Sequence, residues 1–161
     1  DAGFVDSALG STIAGTFYNN GANIVYADAG MVGDGITSKA KEVGKLAIQV
    51  DANLDAQQPG YVLTSVLKIT GIPVKTISEA YAAGTIADLG NLQFYNLASG
   101  GTGITDMAEI SKVVKDTALW DEIKAKVNKI ADQIKSGEII VTNAQEGEQL
   151  DSATVPNVVI K

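Results

Sequence analysis

Cysteine and histidine are both absent, and every one of the 12 basic residues is a lysine. Losing thiol and imidazole together removes thiol nucleophiles, disulfides, thiolate metal sites, imidazole bases and Ser-His-Asp triads. Losing arginine removes the bidentate fork that suits phosphates and base edges, so nucleotides with several phosphates are poor ligand candidates. Positive charge is scarce as well: 19 acids stand against 12 bases, for a formal net charge of −7. A nucleic-acid surface needs clustered positive charge to displace counterions, and this chain has the opposite balance. No stretch approaches the roughly 18 consecutive apolar residues of a membrane-crossing helix, and no basic segment followed by an apolar one opens the chain. The absence of cysteine does not decide the redox compartment, because a sufficiently large core needs no disulfide in an oxidising space. The chain starts at Asp1 rather than Met, which reads as a processed product or a part of something longer.

What is present is ordinary for a folded domain. At 161 residues, with 45% hydrophobic and 19% charged residues, one domain can bury roughly 70% of the surface its unfolded chain exposes. The 17 glycines point to many tight turns. No internal repeat or low-complexity segment is evident.

Hydrophobic spacing sets the expected elements. Asp1 to Asp6 reads as the tail of a strand entering a helix capped by Asp6 or Ser7, running from Ala8 to about Asn19, with Leu9, Ile13 and Phe17 as its apolar stripe. A short strand, Asn23 to Tyr26, leads through a glycine-bearing loop to a helix from about Ile36 to Val43. Further along, Ile69 to Gly84 predicts a helix with Val74, Ile77, Ala80 and Tyr81 on its apolar face, and Gly71 and Pro73 suit its start. Leu92 to Leu97 alternates like a strand, and the glycine-rich piece after it reads as a hairpin or an interlobe crossover. A short helix around Met107 to Val114 precedes the longest one, Leu119 to about Lys135, striped by Leu119, Ile123, Val127, Ile130 and Ile134. Trp120 reads as packing there, Gly137 as the stop, Glu138 to Thr142 as a last strand, and Asn143 to Lys161 as a tail or edge strand. This alternation predicts a layered α/β domain with a mostly parallel sheet.

The stretch from Lys45 to Lys68 carries the most chemistry. Lys45 to Val50 reads as a buried strand that delivers a carboxylate, Asp51, to its C-terminal end, which is where open α/β sheets place ligands. Gln57 to Gly60 turn the chain into a second strand, Tyr61 to Leu67, closed by Lys68, so Asp51 and Lys68 face one crevice. The bland alternatives are a capping or turn-forming Asp and a solvated Lys. Phe4, on the loop before the first helix, is a stacking surface or a core plug, and pattern alone favours the plug. Gly30, Gly33 and Gly35 match neither the dinucleotide fingerprint nor the P-loop; glycines after a strand let the backbone turn or let a ligand come close.

Taken in order, Phe4, GANIVYADAG, QVDANLDAQQPGYVLTSVLK, GGTGITDM and SGEIIV resemble the basic membrane protein family, the purine nucleoside receptor type of lipoprotein that serves ABC importers. The resemblance covers the chain to about Val141 and departs from the family's usual acid at Asn53. It implies a periplasmic-binding-protein type I-like lobe over residues 1–142, the second of two lobes that close on a nucleoside, with 143–161 as tail. The first lobe, signal peptide and lipid-bearing cysteine are expected outside this sequence. By the same resemblance Phe4 stacks on the purine, Gly30 admits the ligand to the backbone, Asp51 accepts from ribose hydroxyls and Lys68 adds a polar contact beside it. It implies no enzyme activity, no cofactor, no metal and no nucleic-acid partner. A nucleoside ligand and, through the full-length protein, an ABC permease are the implied partners, at an extracytoplasmic or periplasmic location tethered by a lipid. Two other readings compete: a small α/β nucleoside-processing enzyme with Asp51 as base and Lys68 as electrostatic partner, and a half-receptor whose exposed face drives self-association.

Overall fold

A computed structural model describes residues 3–143, 147 and 148. Helix α1 (Ser7–Asn19) precedes strand β1 (Ile24–Tyr26), helix α2 (Val32–Glu42) and strands β2 (Leu46–Asp51) and β3 (Val62–Lys68). Helix α3 (Gly71–Ala83), strand β4 (Thr102–Ile104), the single turn α4 (Ala108–Ser111) and the long α5 (Thr117–Ser136) follow. The sheet order is β1-β2-β3-β4, with β1, β2 and β3 parallel and β4 antiparallel on the β3 edge. The expected α/β class with a mostly parallel sheet is therefore the one observed. No described helix is long and apolar enough to cross a membrane.

The first half packs through small residues. Asp6 caps α1 as expected, its Oδ1 accepting from the Leu9 amide at 2.9 Å. The buried face of α1 is nevertheless Gly10, Ala14 and Tyr18, while Ile13 and Phe17 of the expected stripe are exposed. The cause is the closeness of α2: a Cβ on Gly10 would lie 2.6 Å from the Val32 carbonyl oxygen, and one on Gly35 would run into the Ser7 carbonyl oxygen. Backbones in near contact leave room only for small side chains, so the bulky residues turn outward. Glycine in mid-helix costs about 1 kcal/mol relative to alanine, yet Gly33 and Gly35 both sit inside α2. That helix consequently begins four residues before the expected Ile36. Tyr18 crosses beneath the sheet, its hydroxyl donating to the Leu46 carbonyl at 2.8 Å, and burial pushes its pKa up to about 12.

The second half departs more from expectation. Residues 3–5 form a turn rather than the tail of a strand, and residues 1 and 2 lie outside the described residues. Residues 92–97 are irregular; the strand that pairs with β3 is Thr102–Ile104, taken from the glycine-rich piece expected to be a hairpin or crossover. Residues 138–142 are not a strand either; the Ile139 amide donates to the Gln133 carbonyl, extending the end of α5 capped by Gly137. The expected tail, 143–161, falls mostly outside the described residues. Helix α3 buries none of its residues; of its expected apolar face, Val74, Ile77 and Tyr81 are exposed and Ala80 is half-buried. Helix α5 has its expected stripe, but Trp120 alone of its residues is buried. Trp120 packs with Met107 and Ile110, and its indole N–H donates to Ser111 Oγ at 2.8 Å, the packing role expected of it.

Candidate functional site

Three adjacent parallel strands end at one edge, and each delivers a polar residue there. After β1 come Ala27, whose amide still pairs with the Ile48 carbonyl at 2.9 Å, and then Asp28. Asp51 closes β2 and Lys68 closes β3. In the sheet register Asp51 lies opposite Leu67, one residue short of Lys68. The two charged side chains meet as expected, Lys68 Nζ to Asp51 oxygen at 2.6 Å.

Asp51 holds an unusual backbone. Its φ of 76° is one of two positive values on non-glycine residues among those described, and the Ala52 amide closes a three-residue turn on the Val50 carbonyl at 3.1 Å. That left-handed geometry costs about 1–3 kcal/mol and concentrates at ligand sites. The turn lifts the carboxylate off the strand line and toward Lys68. Asp51, chiefly by its hydrogen bond and then by its charge, holds the Lys68 ammonium above its usual range, with Asp28 adding a little. Burial, then the charges of Asp28 and Asp51, raise the Tyr26 phenol.

These groups line a cavity of about 560 Å³ whose walls include Tyr26, Asp28, Asp51, Lys68, Thr70 and Tyr95. Its size lies within the range of small-molecule sites. Two tyrosine rings, three charges and the hydroxyls of Tyr26, Thr70, Tyr95 and Thr102 around a hollow can hold a small polar ligand by hydrogen bonds and ring contact.

Phe4 and Gly30 form a second pair, one loop away. The Met31 amide donates to the Phe4 carbonyl at 3.0 Å, and a Cβ on Gly30 would lie 3.2 Å from that oxygen and 3.6 Å from the Phe4 ring. Gly30 also has a φ of +54°, which favours glycine. What approaches the Gly30 backbone in this structure is thus Phe4 itself. Phe4 is 71% exposed, which overturns the core-plug reading favoured by pattern: the turn at 3–5 lays it against Gly30 of the β1–α2 loop. Asp28 on the cavity wall and Gly30 beneath Phe4 are two residues apart on that loop, but neither Phe4 nor Gly30 lines the cavity that Asp51 and Lys68 share.

Sequence reasoning missed the polar layer that holds the Asp51 loop. Gln49, 1% exposed, donates to Thr37 Oγ1 at 2.7 Å and to Gln57 Oε1 at 2.9 Å. Gln57 in turn donates to Asp34. Ser65 Oγ donates to the buried Asp55 carboxylate at 2.6 Å and accepts from the Leu54 amide at 3.1 Å. Residues 54–57 are thereby fastened to β2, β3 and α2 immediately after Asp51. Polar Gln49, Thr64 and Ser65 inside otherwise apolar strands were the available signal, since buried polar groups need partners. Gly33 fits the same layer, because a Cβ there would collide with the Gln49 amide oxygen.

The chain is similar to known proteins in sequence and in fold. A family model described as ABC transporter substrate-binding protein PnrA-like matches residues 2–145. Basic membrane protein D of Borreliella burgdorferi (strain JD1) is 29% identical over 140 residues, covering 86% of this chain and 39% of that protein. The ABC transporter nucleoside-binding protein BmpA of Lactococcus lactis subsp. cremoris (strain MG1363) is 30% identical over 118 residues, covering 63% of this chain and 33% of that one. The chain thus spans well under half the length of the curated relatives it matches. Among solved structures, a solute-binding protein of an ABC transporter system from Aeropyrum pernix K1 superposes with a TM-score of 0.66 at 22% identity, over 96% of this chain and 48% of that one. A transcriptional activator of the comK gene from Bacillus halodurans gives 0.73 at 13% identity, over 87% and 46%. At such identities the structural matches speak for the fold alone.

Proposed function

This chain belongs to the PnrA-like family of ABC transporter substrate-binding proteins, and from that premise we propose that it supplies half of a nucleoside-binding cleft, with purine nucleosides favoured. The observation that carries the reading is the Asp51–Lys68 pair, 2.6 Å apart, presented at the carboxyl ends of adjacent parallel strands beside a cavity of nucleoside size. A carboxylate is a natural acceptor for the two hydroxyls of a ribose, and the ion pair with Lys68 holds it in place. Phe4 offers a flat exposed face on the adjoining loop, where stacking on a base is worth about 1–3 kcal/mol, and Gly30 lets that turn sit close. Residues 1–142 are read as the second of two closing lobes. The name printed for the Lactococcus relative, a nucleoside-binding protein, supports the ligand class.

In this role the protein delivers its ligand unchanged to a membrane permease, from a position outside the cytoplasmic membrane and tethered by a lipid. Calorimetry of the full-length protein carrying this sequence, with guanosine, adenosine, inosine and cytidine, tests the ligand class. Binding with purines ahead of cytidine is expected, and silence from all four ends the nucleoside reading. Chromatography after prolonged incubation is expected to return the nucleoside intact; a product peak would favour an enzyme using Asp51 as base.

A further inference from the structure

Asp28 is the one charged group of the cavity without a partner of its own. Asp51 and Lys68 neutralise each other across 2.6 Å, whereas the Asp28 carboxylate, on the same wall, makes no hydrogen bond or ion pair among the described residues. It lies two residues past β1, just after Ala27, whose amide still pairs with the Ile48 carbonyl of β2, so the chain brings it to the same end of the sheet as Asp51. The cavity therefore carries one net negative charge, fixed by Asp28, and the chain has no arginine to offset it. Its field already reaches the other members, adding to burial at Tyr26 and to Asp51 at Lys68.

We propose that Asp28 is a specificity-determining residue that makes the site select for the unphosphorylated ligand, accepting a hydrogen bond from a neutral donor and repelling a phosphate ester. The inference rests on the nucleoside reading above and assigns to a residue outside the Asp51–Lys68 pair the rejection of nucleoside monophosphates. A phosphate held in the same hollow brings a second negative charge toward the unpaired Asp28, and like charges about 5 Å apart in a partly hydrated site repel by an amount equivalent to about tenfold in affinity or more.

Asp28→Asn tests it in the full-length protein. The side chain is exposed and makes no bond that folding needs, so the isosteric change leaves the fold intact, verified by an unchanged melting temperature. Calorimetry with guanosine and with guanosine 5′-monophosphate gives the ratio of the two affinities. The wild type is expected to prefer the nucleoside by at least 100-fold, Asp28→Asn to narrow that gap about tenfold, and Asp28→Lys to narrow it further. Glu42→Gln removes an equal charge at the far end of α2, where the parallel topology places it at the opposite edge of the sheet, and it is expected to leave the ratio alone. If guanosine binds but the ratio is the same in Asp28→Asn as in the wild type, this inference is overturned while the nucleoside reading stands. If Glu42→Gln moves the ratio equally, the effect is one of overall charge and the inference is likewise overturned. If guanosine fails to bind at all, both fall.

Discussion

Helices α2 and α5 are both amphipathic and flank one sheet, yet they are held in opposite ways. Of the 11 residues of α2, six are buried, and three of those six are Gly33, Gly35 and Ala40. Of the 20 residues of α5, one is buried, although its apolar stripe is the longer. Burial here follows how closely a backbone neighbour approaches, and small residues permit that approach, whereas a row of large apolar residues records only what a helix could cover. The site lies at the boundary between the two regimes: Asp51 is anchored on the tightly packed side by the Gln49, Gln57 and Asp55 network, and the cavity opens toward Tyr95 and the looser half.

Substitutions should expose that contrast in order of size. Trp120→Ala removes the single buried anchor of α5 and is expected to cost about 3–5 kcal/mol, measured by urea unfolding. Gly35→Ala, which improves helix propensity on its own, is expected to destabilise by about 1–3 kcal/mol, because its methyl meets the Ser7 carbonyl; Gly15→Ala, facing only the flexible Lys39 chain at 3.7 Å, is expected to stabilise slightly. Opposite signs for two glycine-to-alanine changes in adjacent helices would confirm that approach distance decides, and equal signs would break the comparison. Asp51→Asn keeps a residue that tolerates a left-handed backbone, so stability should hold while nucleoside binding weakens by about 2 kcal/mol, near 30-fold. Ile130→Gln on the open face of α5 should move stability by no more than about 0.5 kcal/mol.

The smallest effect concerns pH. Lys68 is raised above its usual 10.5, first by its hydrogen bond to Asp51, so its contribution to stability is complete below that value and disappears as pH climbs through the raised one. Melting curves of the wild type and Lys68→Met should therefore differ at pH 8 and converge at strongly alkaline pH. A gap that stays constant across the range would show that the lysine contributes by packing instead of charge.

Much of this layout was legible from residues alone, for reasons that also explain the failures. A short apolar run ending in a carboxylate, LAIQVD, and another ending in lysine, VLTSVLK, identified two neighbouring strand ends, because buried parallel strands read as continuous hydrophobic segments. Caps were legible at Asp6 and Gly137, but not at Asp116, which caps α5 ahead of its expected start at Leu119. The same apolar cues failed at 92–97 and 138–142, since an alternating or apolar run shows that a segment could pair but not that it does. They failed again at α1, where Ile13 and Phe17 form a regular stripe and Gly10 and Ala14 are the residues actually covered. Phe4 was visible as a loop aromatic, but its exposure depends on the turn docking against Gly30, a contact that spacing does not encode. The hydrogen-bonded layer from Gln49 to Ser65 was hidden because polar residues within a strand look like defects until their partners, distant in sequence, are known.

The claim on which the account turns is that ligand and Asp51 meet at the ends of β2 and β3. A crystal structure of the full-length protein with guanosine tests it most directly. The account expects ribose hydroxyls within hydrogen-bond distance of the Asp51 carboxylate, with Lys68 alongside. Nucleoside seated elsewhere, for instance in the apolar groove between α5 and residues 94–98, with the Asp51–Lys68 edge bare, would contradict it.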